Sequence, residues 1–74
     1  MLIVHSDHFG ITNMDAVSAI RVEGRYIRAY EMCGERHHVI AAYNTRERAE
    51  AVLHDFIEEC KLSREDSVIV LPEV

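Results

Sequence analysis

The chain has little of what usually staples or advertises a small protein. It holds two cysteines, one proline and three glycines in 74 residues. Two cysteines are too few for a disulfide framework, so Cys33 and Cys60 read as reduced thiols of a cytosolic chain. No apolar run approaches the roughly 18 residues that span a bilayer, so no membrane partner is expected. Met1-Leu2-Ile3-Val4-His5 carries no basic stretch ahead of its short apolar run, unlike a secretory signal, and a cytoplasmic location is the expectation. There is no internal repeat, no low-complexity tract and no glycine-rich phosphate loop. Paired carboxylates suited to acid–base work are lacking too, so neither a cofactor nor catalysis is expected. Basic residues are scarce: eight Lys and Arg against thirteen Asp and Glu leave a net charge of -5. That balance argues against direct nucleic-acid binding.

What remains is one small domain, residues 1–74. A chain this short buries only about 60% of its unfolded surface, so its core is marginal and self-association would help it. The charge is uneven. Residues 47–73 carry eight of the thirteen acidic residues, while Arg21, Arg25, Arg28 and Arg36 make the middle locally basic.

The strongest local pattern lies in residues 44–61. Ala49, Val52, Leu53, Phe56, Ile57 and Cys60 recur at helical spacing, with charge on the other side. Asn44 has Glu47 three residues on, a capping-box spacing, and Thr45 offers a second cap one residue later. This is the one long helix, so the strands must find their cover against its stripe.

The strands read as residues 2–5, 16–23, 26–32, 36–43 and 68–71, with residues 11–15 as a link and Pro72 closing the last strand. The expected order is β-β-β-β-α-β, an α+β fold: an antiparallel meander of four to five strands with one long helix on one face. Gly24-Arg25 and Gly34-Glu35 both suit two-residue type II′ hairpin turns. The first turn sets Arg21 opposite Arg28, and the second sets Tyr30 opposite Val39. Ile20, Val22, Ile27, Ala29, Ile40 and Ala42 then share the helix side. The opposite face collects Val17, Ala19, Arg21, Tyr26, Arg28, Tyr30, Met32, His37, Val39 and Tyr43.

That second face is too apolar and aromatic for one left to water. It points to contact between copies of the chain, with Val17, Met32, Val39 and Tyr43 as interface residues. The plainer alternatives are that the C-terminal strand or a loop folds over it, or that the register is off by one. Within it, Arg21 facing Arg28 places like charges together, a destabilising pair unless something compensates. An anionic ligand gripped by both guanidiniums, with Tyr26 and Tyr30 stacking on an attached base, is the functional reading. Neutralisation by Glu23 or by a neighbouring subunit is the structural one.

Other constellations are weaker. His5, Asp7 and His8 form a compact set of metal-ligand types, but zinc needs three or four converging ligands, and His37 and His38 point to opposite sides of a strand. Asp7 is better suited to shaping a turn. Cys33 stands beside Gly34 and two histidines, yet a catalytic thiol also needs a positioned base in a pocket. No metal is therefore assigned.

The string Ile11-Thr12-Asn13-Met14-Asp15-Ala16-Val17-Ser18-Ala19-Ile20-Arg21-Val22 resembles a recurring pattern, a strand followed by Ile-x-Asn-x-Asp-x-Val-x-x-Ile-x-Val. That pattern occurs in short uncharacterised proteins of Firmicute genomes and their phages. Tyr43-x-Thr45-x-x-x-Ala49-x-x-Val52-Leu53 is similar to the helix entry of the same group, and the resemblance covers about residues 2–57. It implies a small phage-associated protein of the host cytoplasm, acting against bacterial defence. Two functions follow as expectations. One is a non-enzymatic homo-oligomer that sequesters an anionic, nucleotide-like ligand. The other is an acidic inhibitor, a nucleic-acid mimic or anti-CRISPR-like protein, that binds a host defence protein.

Overall fold

The computed structural model describes residues 1–32, 36–64 and 66–73. The fold is α+β with one long helix, as expected, and its strands divide between two three-stranded sheets. The first sheet has the order β2-β1-β6: β1 (Leu2–Val4) pairs antiparallel with β2 (Ile11–Asn13) and parallel with β6 (Val68–Val70). The second is the meander β3 (Val17–Glu23), β4 (Tyr26–Glu31) and β5 (His37–Ala42). Residues 11–13, expected to be a link, are thus a strand, followed by a 3-10 turn at Met14–Ala16 that Asn13 caps.

Helix α1 (Arg46–Leu62) starts at Thr45, whose hydroxyl accepts from the Arg48 N–H at 3.1 Å. Of the two candidate caps, Thr45 is therefore the one used. Ala49, Val52 and Phe56 are buried, and Leu53 and Cys60 pack at the edge of the core. Ile57, expected on the buried stripe, is 46% exposed and flanks a groove of about 300 Å³ with Val17, Ile20 and Leu53.

The β3–β4 register is the expected one: Val22 faces Ile27, Arg21 faces Arg28, Ile20 faces Ala29 and Ala19 faces Tyr30. Gly24 sets it. Its φ of +64°, followed by an Arg25 without positive φ, is the backbone of a type II′ turn. The β4–β5 register differs. Tyr30 faces His37 and Arg28 faces Val39, two residues from expectation, because the Glu31 N–H already bonds the Arg36 carbonyl. The expected Gly34-Glu35 turn lies outside the described residues. A slip of two preserves which side each residue faces.

Two bulges do not preserve it. In β5, Val39 faces Arg28 while Ala41 faces Ile27, so Ile40 is the extra residue. Side chains beyond it exchange sides. Ala41 and Tyr43 turn inward, to 2% and 0% exposure, and Ala42 turns out. Tyr43 was expected at an interface and is instead core. Burial raises its phenol pKa, with Arg48 opposing, and its hydroxyl donates to the Pro72 carbonyl at 2.9 Å. In β3, Val17 faces Glu31 and Ala19 faces Tyr30, so Ser18 is the extra residue, its hydroxyl reaching the Tyr30 and Glu31 carbonyls. Val17 thereby packs against the core, a second correction to the expected interface. Met32 and Val39 stay outside, 64% and 37% exposed.

Candidate ligand-binding face

The outward side of the meander is a grid of three rows: Ala19–Tyr30–His37, Arg21–Arg28–Val39 and Glu23–Tyr26–Ala42. With Tyr43 and Val17 removed from it, this side is less apolar than the sequence implied and more cationic and aromatic. All four residues expected to hold a ligand, Arg21, Tyr26, Arg28 and Tyr30, lie on it together.

Their geometry is set by cation–π contacts. The Arg21 guanidinium sits over the Tyr30 ring at 5.3 Å and that of Arg28 over the Tyr26 ring at 5.7 Å. Arg25, at the hairpin turn, also lies over the Tyr26 ring, at 4.6 Å, donates to the Tyr26 hydroxyl at 2.8 Å and to the Tyr43 carbonyl at 3.0 Å. Sequence reading did not assign Arg25 to the site; its place beside Gly24 in a two-residue turn was the available signal. His37 joins from β5, its ring 5.0 Å from that of Tyr30 and its Nδ1 3.5 Å from Arg28 Nη1.

Among the described residues, Glu23 is the one carboxylate engaged on this face. It accepts from the Tyr30 hydroxyl and pairs with Arg28 at 3.5 Å. The Arg21–Arg28 opposition is therefore half compensated: Arg28 has a carboxylate, and Arg21 has an aromatic face and no acidic partner among the described residues. Arg28 is the more enclosed of the two. A planar guanidinium stacked on a phenol is pre-oriented, which lowers the ordering cost of gripping an anion through paired N–H donors.

The histidines are arranged for structure. His5 Nε2 lies 2.6 Å and His38 Nε2 lies 2.9 Å from the hydroxyl of buried Thr12, where β1, β2 and β5 meet. A hydroxyl has one proton and two lone pairs, so it donates to at most one of the two rings, and at least one of the two Nε2 atoms carries a hydrogen toward it. Burial, and then the charge of His38, lower the His5 pKa, while Asp7 opposes. Gly10 is required beside this ring, since a Cβ there would come within 2.4 Å of His5 Nδ1. Asp7 shapes the turn by accepting the Phe9 N–H at 2.8 Å, and His8 pairs with Glu73 at 3.1 Å. Among the described residues, no three metal-ligating side chains converge on a point. Cys33 lies outside the described residues. Cys60 meets the Met1 sulfur at 3.9 Å, and burial together with Glu59 pushes its thiol pKa up, away from nucleophilic use.

Comparison of the chain with protein-family models, with curated proteins and with solved structures finds no match.

Proposed function

We propose that the outer face of the β3-β4-β5 sheet binds a small anionic ligand of nucleotide type, without turning it over. The observation that carries this reading is Arg21. It directly faces Arg28, and Glu23, the one carboxylate engaged on this face among the described residues, is committed to Arg28 and Tyr30. A phosphate placed between the two guanidiniums converts a repulsive pair into two charge-assisted contacts. The exposed sides of the Arg–Tyr stacks offer planes on which a base can lie, as arginine and aromatic planes do for unstacked nucleobases. The resemblance to short phage-associated proteins gives this activity a setting: sequestration of a nucleotide signal in the host cytoplasm, as part of anti-defence.

Isothermal titration calorimetry with ATP, and with inorganic pyrophosphate as the base-free control, tests the reading. ATP should bind more tightly than pyrophosphate. Arg21→Glu and Arg28→Glu should each weaken binding at least about tenfold, with Arg21→Glu leaving the melting temperature unchanged or raised because it removes a like-charge opposition. Wild-type and mutant chains that give the same heats would overturn it. The second reading, an acidic inhibitor of a basic defence protein, is supported by the exposed Glu47, Asp55, Glu58 and Glu59 of α1. It gains if binding to a basic partner is lost with rising salt while ATP gives no heat.

A further inference from the structure

The cationic face of the meander carries an anion of its own. Along β3 and β4 the rows run Ala19–Tyr30, then Arg21–Arg28, then Glu23–Tyr26. Tyr30 and Glu23 therefore stand on opposite sides of the arginine row. They are nevertheless bonded: the Tyr30 hydroxyl donates to Glu23 Oε2. A bond from the first row to the third has to cross the second. The Arg21 guanidinium accordingly lies 5.3 Å from the centre of the Tyr30 ring, and Glu23 Oε1 lies 3.5 Å from Arg28 Nε. Both carboxylate oxygens thus have a partner, and the pair spans the place where the two guanidiniums face each other.

We infer that Glu23 and Tyr30 form a latch over the arginine row that a ligand has to open, and that Glu23 thereby selects phosphate-bearing anions over singly charged ones. This role rests on the anion-binding reading of the face and adds the group with which a ligand competes. The Glu23 carboxylate holds Arg28 as the carboxylate of a ligand would. It is tethered to the same hairpin, so its effective concentration is far above that of a free solute. A free monocarboxylate that replaced it would exchange like for like and forfeit that advantage. A phosphate brings more charge and a third acceptor oxygen. It can therefore hold Arg28 and also Arg21, to which no carboxylate is bonded among the described residues. Opening costs little, because the Glu23 side chain is 43% exposed and an exposed ion pair is weak. The released carboxylate returns to water. Among the described residues no second acidic side chain is bonded on this face, so one substitution removes the competitor.

Calorimetric titration of the full chain with pyrophosphate, ATP and adenosine tests the latch, in wild type, Glu23→Gln and Glu47→Gln. Glu23→Gln keeps the size of the side chain and removes its charge. It should bind pyrophosphate and ATP about three- to tenfold more tightly than wild type. Adenosine, which has no phosphate, should show no gain. Glu47→Gln makes the same change in net charge on exposed α1 and should match wild type with all three. Without ligand, Glu23→Gln should melt slightly below wild type, because the opposed arginines lose their carboxylate. Saturating pyrophosphate should raise its melting temperature by more than it raises that of wild type. Equal or weaker anion binding by Glu23→Gln, with wild type binding, overturns the latch and leaves the anion site standing. An equal gain in Glu47→Gln also overturns it, by assigning the effect to net charge, and so does a gain with adenosine. Binding by Glu23→Gln alone supports the latch and contradicts anion binding by the wild-type chain. Pyrophosphate and ATP that give no heat with any of the three proteins overturn both.

Discussion

Thr12 shows how much one hydroxyl can organise. Two imidazoles share it, and it supplies one proton, so at least one ring must carry a hydrogen on the nitrogen that faces it. The sign of the pH effect follows. The folded state holds His5 below its ordinary 6.5, so the unfolded chain takes up the proton more readily. The contribution of neutral His5 is fully present above pH 6.5 and is lost as pH falls through the lowered folded value. Denaturant midpoints measured in steps downward from pH 7.5 should therefore fall once pH passes below 6.5. In His5→Gln, which keeps a hydrogen-bonding group but cannot titrate, that part of the decline should shrink. An unchanged decline in His5→Gln would contradict the assignment to His5.

Among the elements, β5 carries the clearest lesson about what a sequence discloses. The β3–β4 hairpin was legible because Gly24 supplies a positive φ and the flanking residues alternate. The β4–β5 pairing was not. Val39-Ile40-Ala41-Ala42-Tyr43 is apolar throughout, so no alternation marks which side each residue takes. A bulge that inserts Ile40 exchanges sides without any change in residue type. Tyr43 consequently moved from an expected interface to the core. The same ambiguity hid the first sheet: Leu2, Ile3 and Val4 are all apolar, and inward and outward positions look alike. The helix was readable because its apolar and charged residues segregate, Ile57 excepted. Calorimetric melting tests the β5 bulge. Tyr43→Ala should cost about 3–5 kcal/mol, as for a buried aromatic. Met32→Ala and Val39→Ala should stay within about 0.5 kcal/mol. Near-neutral Tyr43→Ala would return that side chain to the surface. Tyr43→Phe removes one hydrogen bond to the exposed Pro72 and should cost about 1 kcal/mol.

At the scale of the whole molecule, chemistry is divided between surfaces. The meander turns guanidiniums and phenols outward, the first sheet turns out aliphatic side chains, and the helix turns out acid. No helix among the described residues is long and apolar enough to cross a membrane. That Arg21, Tyr26, Arg28 and Tyr30 share one face was legible because it depends on the one register that a glycine turn fixes, and the slip of two in β5 left their side of the sheet unchanged. The central claim is that this cationic face holds a nucleotide-like anion in an otherwise acidic chain. Nitrogen-15 correlation NMR spectra recorded while ATP is titrated in test it most directly, because each backbone amide reports its own surroundings. The account predicts saturable shifts concentrated at Arg21, Tyr26, Arg28, Tyr30 and His37, with α1 and β6 unmoved. Spectra that do not change at millimolar ATP, or shifts that gather on the helix instead, would contradict it.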